Sequence, residues 1–138
     1  MDITLLPIDV LKQHEQVLRS NMAAVEHDLL RDGVVRDPIV VDKKTMIILD
    51  GHHRYNVLKH MGAAYVPVYL VDYASSAVQV HSWRPGVHIS KDDVVRAGLS
   101  GHLMAAKSSR HVIAGAPHDI DVPLVLLQEA KSDGTVSS

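Results

Sequence analysis

The stretch from Thr45 to Tyr69, TMIILDGHHRYNVLKHMGAAYVPVY, constrains the fold more than any other part of the chain. Thr45 to Leu49 is short, apolar and rich in strand formers, and Asp50-Gly51 breaks that pattern. His52 to Met61 then places Tyr55, Leu58 and Met61 at helical spacing. Gly62 falls just past the helix end. Tyr65 to Tyr69 returns as a strand. The order is strand, sharp turn, helix with a basic start, strand.

A helix start carries unpaired backbone N–H groups and a partial positive charge, so it attracts anions. Gly51 lets a ligand approach the backbone because no Cβ stands in the way. His52, His53 and Arg54 add side-chain donors at the same end, and Arg54 can grip a phosphate bidentately. Asp50 sits at the carboxyl end of the strand. A carboxylate beside a phosphate cradle calls for a cation, and Mg²⁺ bridging to phosphate oxygens supplies one. These residue types also serve simply to cap and solvate a helix.

Composition narrows the function classes. A chain of 138 residues is long enough for one domain with a real core. The expected division is a single domain over residues 1–130 and a disordered tail over 131–138, where Asp, Gly, Thr and Ser dominate. No apolar run reaches about 18 residues and no secretory signal is visible, so no membrane partner is expected. Cysteine is absent, which removes thiolate catalysis and fits a cytoplasmic protein. The formal charge is −2 with a pI near 6.5, without the Lys and Arg excess on which non-specific duplex binding rests. With no Phe and one Trp, stacking on single strands is poorly provided for as well. A nucleic-acid partner is therefore not expected. None of the ten histidines lies two, three or four residues from another, so helical zinc spacing is missing. Surface and anion-facing histidines account better for the count.

Ile3 to Leu6 reads as a first strand closed by Pro7. His14-Glu15 falls in a polar run, a loop or the edge of a short helix. Ser20 looks like the N-cap of a helix to Asp32, with Met22, Val25, Leu29 and Leu30 as its buried stripe and Gly33 as its stop. Ile39 to Val41 and Met46 to Ile48 flank Asp42-Lys43-Lys44 as a hairpin. Val78 to Trp83 reads as a strand. Ser90 and Asp93 form a capping box for a helix from Lys91 to Ala97 that stops at Gly98. Gly101 to His111 reads as turn and strand. The Leu-Val-Leu-Leu run after Pro123 should pack on the core.

Asp50-Gly51-His52-His53-Arg54 resembles the DGHHR signature of the ParB/sulfiredoxin-fold family, in its free L-serine kinase branch. His14-Glu15 resembles the HE segment of that branch. Pro38 to Asp42 resembles the strand before the motif, and Gly62 through Pro67-Val68 the "G…VPV" after it. Lys107-Ser108-Ser109-Arg110-His111 resembles the C-terminal K-[ST]-[ST]-R-H segment. The likeness covers roughly residues 3–127. It implies an α+β fold, a small mixed sheet flanked by helices. It also implies a kinase that phosphorylates free L-serine, with L-threonine as a close alternative, to O-phospho-L-serine using ATP or ADP with Mg²⁺. Sulfiredoxin chemistry itself is excluded, because it needs a cysteine nucleophile.

The resemblance carries roles for single residues. Gly51, His52, His53, Arg54 and Lys107 are the expected nucleotide contacts. Asp50 is the expected metal ligand and a catalytic residue. Glu15 is the expected general base, although on the residues alone it reads as a solvated surface carboxylate. Ser108, Ser109, Arg110 and His111 are expected to hold the amino acid, although the same segment reads equally as a basic turn. Trp83 is expected in the pocket wall, although a lone Trp is more often core. The connection between the DGHHR region and the C-terminal segment is shorter than in the family, so a homodimer that completes the site is a further expectation. The alternative function is a ParB-like nucleotide-binding transcriptional regulator without turnover. The missing helix-turn-helix and the acidic pI count against it. A nuclease would need several metal-binding carboxylates, and only Asp50 is well placed.

Overall fold

The computed structural model describes residues 3–128. The expected tail from Lys131 lies outside them. In chain order the elements are β1 (Ile3–Pro7), α1 (Arg19–Asp32), β2 (Val34–Val35), β3 (Ile39–Asp42), β4 (Ile48–Asp50) and α2 (His52–His60). β5 (Tyr65–Val71), β6 (Val78–Ser82), α3 (Lys91–Ser100), β7 (Ser109–Ile113) and β8 (Val122–Pro123) follow. Short 3-10 turns lie at Ile8–Val10 and Leu124–Gln128.

The main sheet has the order β1-β5-β3-β4. β3 and β5 run parallel, with α2 in the crossover between them; both outer pairs are antiparallel. All four residues of β3 are buried, as expected of a strand covered on both faces. Ile39, Val41 and Ile48 face the layer that contains Tyr55, Val57 and Leu58 of α2 and Leu29 of α1. Val40, Ile47 and Leu49 face the opposite layer, with Val78 of β6 and Val94 of α3. This is the small mixed sheet flanked by helices that the sequence implied.

The Asp42–Thr45 turn explains the β3–β4 hairpin without any glycine. The buried Asp42 carboxylate accepts from Thr45 Oγ1 (2.6 Å), Thr45 N–H (3.2 Å), Lys44 N–H (3.4 Å) and, across the sheet, Tyr73 N–H (3.3 Å). A local carboxylate thus replaces the turn chemistry that a two-residue hairpin usually needs.

Several expectations are corrected. α1 begins at Arg19, not after a Ser20 cap, and Leu18 occupies the cap position with no side-chain cap bond. Leu29 is buried and Met22 and Val25 pack beside it, but Leu30 is 62% exposed, one helical step beyond the stripe. The His14-Glu15 segment is extended, neither loose loop nor helix. Ile48 N–H donates to Lys12 O, and Met104 N–H donates to His14 O, so the segment pairs on both sides. After Pro123, Leu127 is buried but Val125 and Leu126 face solvent.

α3 has both halves of the Ser90–Asp93 capping box, yet it runs through Gly98 to Ser100 and ends at Gly101. Gly98 is there for closeness. A Cβ on it would lie 2.5 Å from Ile47 Cδ1 and 2.7 Å from Ile47 Cγ1. Gly98→Ala should gain about 1 kcal/mol of helix propensity and lose more to overpacking, a net loss of ~1–2 kcal/mol. Denaturant melts check it, and Ile47→Val in the same chain should restore part of the loss. A stabilised Gly98→Ala would contradict this packing account.

Candidate active site

Gly51 is the N-cap of α2 and has φ 102°, ψ 24°, a left-handed conformation costly for any residue with a side chain. A Cβ there would also lie 3.0 Å from Arg54 Nη2 and 3.3 Å from Ile39 Cγ1. Helix geometry leaves the N–H groups of His52, His53 and Arg54 without acceptors inside the helix. The start of α2 therefore presents three N–H groups next to a residue with no Cβ.

The side chains of the motif behave differently from expectation. His52 is buried, and its Nε2 accepts from His14 N–H at 3.2 Å. His53 Nε2 accepts from Leu18 N–H at 3.1 Å. Asn56 Nδ2 donates to Gln13 Oε1 at 2.6 Å. The first two turns of α2 thus staple residues 13–18 beside its N-terminus, and neither histidine has Nε2 free to donate to an anion. Arg54 donates from Nη2 to Pro38 O (2.9 Å) and lies 3.8 Å from the exposed Asp50 carboxylate.

Glu15 is only 8% exposed, so the surface reading fails. Its Oε1 accepts from Ser109 N–H (2.9 Å) and Ser109 Oγ (2.8 Å), and its Oε2 from Lys107 N–H (3.2 Å). Lys107 sits at φ 60°, an uncommon conformation for a residue with a side chain, held here by Glu15. His14, fully buried, donates from Nδ1 to Ile48 O (2.7 Å) because a carbonyl can only accept. Its Nε2 lies 2.9 Å from Ser109 Oγ. The Ser109 hydroxyl thus bridges an imidazole nitrogen and a carboxylate with one proton to give.

These elements meet around a cavity of about 280 Å³. It is lined by Glu15, Leu49, Asp50, Gly51, His52, His53, Trp83, Lys107, Ser109, Arg110 and His111. Trp83 is 53% exposed and not core, with Lys107 Nζ 5.8 Å and Arg110 Cζ 5.6 Å from its ring. Two residues of the expected set are absent from this lining. Ser108 turns inward and donates to Ala105 O at 2.6 Å. Arg54 lines a second cavity of about 320 Å³ with Asn21, Ala24 and Val25 of α1, which shares Asp50 to His53 with the first. Among the described residues no group of three His, Cys, Asp or Glu side chains is placed to hold a metal ion.

Sequence reasoning overlooked the histidine cluster beneath the cavity. The His14 ring stands edge-on to His52 (4.5 Å between centroids) and to His111 (5.6 Å). Tyr73 Oη lies 2.7 Å from His111 Nε2. Burial lowers the pKa of all three histidines, and mutual repulsion adds to this at His52 and His111. His111 is pushed down to about 3. The one available signal was His14 beside Glu15, since a buried carboxylate demands polar neighbours.

No protein-family model matches the chain. A free serine kinase solved in complex with AMP superposes with a TM-score of 0.83 over 91% of this chain and 93% of that one, at 19% identity. The chain has the fold of the free serine kinases. It is 29% identical over 99 residues to the ADP-dependent L-serine kinase of Thermococcus kodakarensis, a match that covers 69% of this chain and 41% of that protein. It is 40% identical over 73 residues to a ParB-like protein of Sulfolobus acidocaldarius, covering 53% of this chain and 36% of that protein. The chain thus matches 36–41% of the length of these last two relatives. Among the described residues no helix is long and apolar enough to cross a membrane.

The three buried histidines, together with His53, whose pKa burial also lowers, set the response to acid. Below their ordinary pKa of 6.5 the unfolded chain binds protons that the folded chain refuses, so stability rises with pH in that range. It should be complete above pH 6.5 and fall on acidification by up to about 1.4 kcal/mol per pH unit for each histidine. Urea midpoints measured from pH 7 to pH 5 check this. A flat profile would show that the histidines take up protons as readily in the fold as in the unfolded chain.

Proposed function

We propose that this chain carries the active site of a nucleotide-dependent kinase whose acceptor is free L-serine and whose product is O-phospho-L-serine. The observation that carries the reading is the meeting of three things around one cavity. They are a glycine-started helix N-terminus, a buried carboxylate and the Trp83–Lys107–Arg110 cluster. The fold of the free serine kinases and the similarity to an L-serine kinase support the same reading.

The two cavities divide the labour. Nucleotide phosphates, from ATP or ADP, rest on the N–H groups of His52, His53 and Arg54, with the Arg54 side chain on the α1 side. The amino acid enters from the Trp83 side, where Arg110 offers its carboxylate a planar cation and Lys107 neutralises phosphate charge. Glu15 receives the hydroxyl proton. Both acceptor sites of Oε1 are taken by Ser109, so Oε2, with one bond to Lys107 N–H, is the oxygen left to act.

Asp50 is a single exposed carboxylate, which suits Mg²⁺ arriving with a nucleotide but could not hold a metal by itself. When bound, the ion would neutralise charge on the phosphates. L-threonine differs by one methyl, worth only ~1–3 kcal/mol of discrimination in a pocket, so it is the close rival acceptor.

³¹P NMR of the full chain with Mg²⁺, L-serine and either ATP or ADP tests the reading, with L-threonine run in parallel. A phosphomonoester resonance matching O-phosphoserine is expected. Nucleotide binding without transfer to either amino acid would instead favour a ParB-like regulator. Glu15→Gln keeps one oxygen for the 107–109 loop but removes the base. It should lower kcat by 10²-fold or more while nucleotide affinity changes only a few-fold. Unchanged turnover would remove Glu15 from the chemistry.

A further inference from the structure

We propose that Ser109 is itself a phosphoryl acceptor: with nucleotide bound and free serine absent, the chain phosphorylates its own Ser109 hydroxyl. This rests on the kinase reading above.

Ser109 already holds a hydroxyl against the proposed base, on Oε1 beside the Oε2 left to free serine. Its Oγ lies 2.8 Å from Oε1 of the proposed base Glu15 and 2.9 Å from His14 Nε2. His14 Nε2 is the bare nitrogen, because Nδ1 donates to Ile48 O. The hydroxyl therefore faces two proton acceptors, an arrangement that activates a serine. Ser109 also lines the cavity into which the Asp50–His53 turn opens. It is tethered there, whereas free serine must be captured from solution, and intramolecular placement raises effective concentration steeply. The neighbouring Ser108 offers the contrast. It is buried, its hydroxyl is committed to Ala105 O, and it lies outside the cavity lining.

The step balances without another reactant. The Ser109 Oγ–P bond forms as the bond from the terminal phosphorus to its bridging oxygen breaks. The nucleotide, one phosphoryl group shorter, leaves with that electron pair. The Oγ proton passes to Glu15 Oε1 and from there to solvent. The product sets a phosphate dianion against the Glu15 carboxylate, with Lys107 and Arg110 at hand to screen it. Phosphorylated Ser109 cannot return its hydroxyl to Glu15 or His14. The self-reaction would therefore switch the site off when serine runs out.

The test is intact-mass spectrometry of the full chain incubated with Mg²⁺ and ATP or ADP, without any amino acid. A gain of one phosphoryl group is expected, mapped by peptide fragmentation to Ser109 and not Ser108. Its rate should be independent of chain concentration and should fall when L-serine is added. Ser109→Ala should abolish the gain, and Ser109→Thr, which keeps a hydroxyl, should retain it at residue 109. Mapping on the unaltered chain decides the matter even if Ser109→Ala fails to fold. O-phosphoserine formation by the same preparation without any mass gain would overturn the proposal and leave the kinase reading standing. A phosphoryl group mapped elsewhere, or labelling that scales with chain concentration, would overturn it too. Failure of both reactions would overturn both readings.

Discussion

One buried carboxylate holds the site together. Glu15 accepts hydrogen bonds from Lys107 and Ser109, residues 92 and 94 positions further along the chain. Charge-assisted bonds of this kind are roughly twice as strong as neutral ones. They hold Lys107 in a left-handed conformation, which places its cation beside the Trp83 ring. Without Glu15 the N–H groups of residues 107 and 109 lose their acceptor, and the strain at Lys107 loses its compensation. The buried charge is itself tolerable only because three donors surround it. The anchor and the loop it anchors therefore depend on each other.

The sheet explains why the parts meet where they do. β4 is short, and the segment around Lys12 pairs with its outer edge. That brings Glu15 level with the end of β4, where Gly51 turns the chain into α2. The antiparallel β6–β7 pair covers the opposite face of the same sheet, and β7 begins at Ser109. Three segments distant in sequence thus converge at the amino end of one helix. His14 ties all three: its backbone N–H to His52, its Nδ1 to Ile48 O and its Nε2 to Ser109 Oγ.

What could be read from the sequence was local. The strand–turn–helix–strand unit announced itself by spacing, and the Gly51 turn, the Gly33 stop and the Ser90–Asp93 box each depend on residues a few positions apart. The ring roles of His52 and His53 were misread because they are set by partners 38 and 35 residues away. Taken alone, a histidine at a helix start is a donor to anions. A backbone N–H that needs an acceptor turns it into something else. Gly98 was misread as a stop for a similar reason, since only the presence of Ile47 shows that the glycine makes room. Arg54 and Ser108 belong to the right motifs but face away from the first cavity, because motif spacing fixes the backbone and not the direction of every side chain.

The double duty of Glu15 has a chemical consequence. A general base needs a free acceptor site, yet the hydrogen bonds that build the loop consume most of what a carboxylate offers. Ser109 alone takes both sites on Oε1. An incoming hydroxyl must therefore use Oε2 or displace the Ser109 hydroxyl, which could then donate to His14 Nε2 2.9 Å away. The imidazole, kept neutral by burial and locked in one tautomer by Ile48 O, gives that hydroxyl a second place to point. A charged imidazole could not accept it. The neutrality of the buried histidine cluster thus connects the stability of the fold to the freedom of the base. The same protonation that destabilises the chain in acid would also fix Ser109 against Glu15 and leave Oε1 occupied.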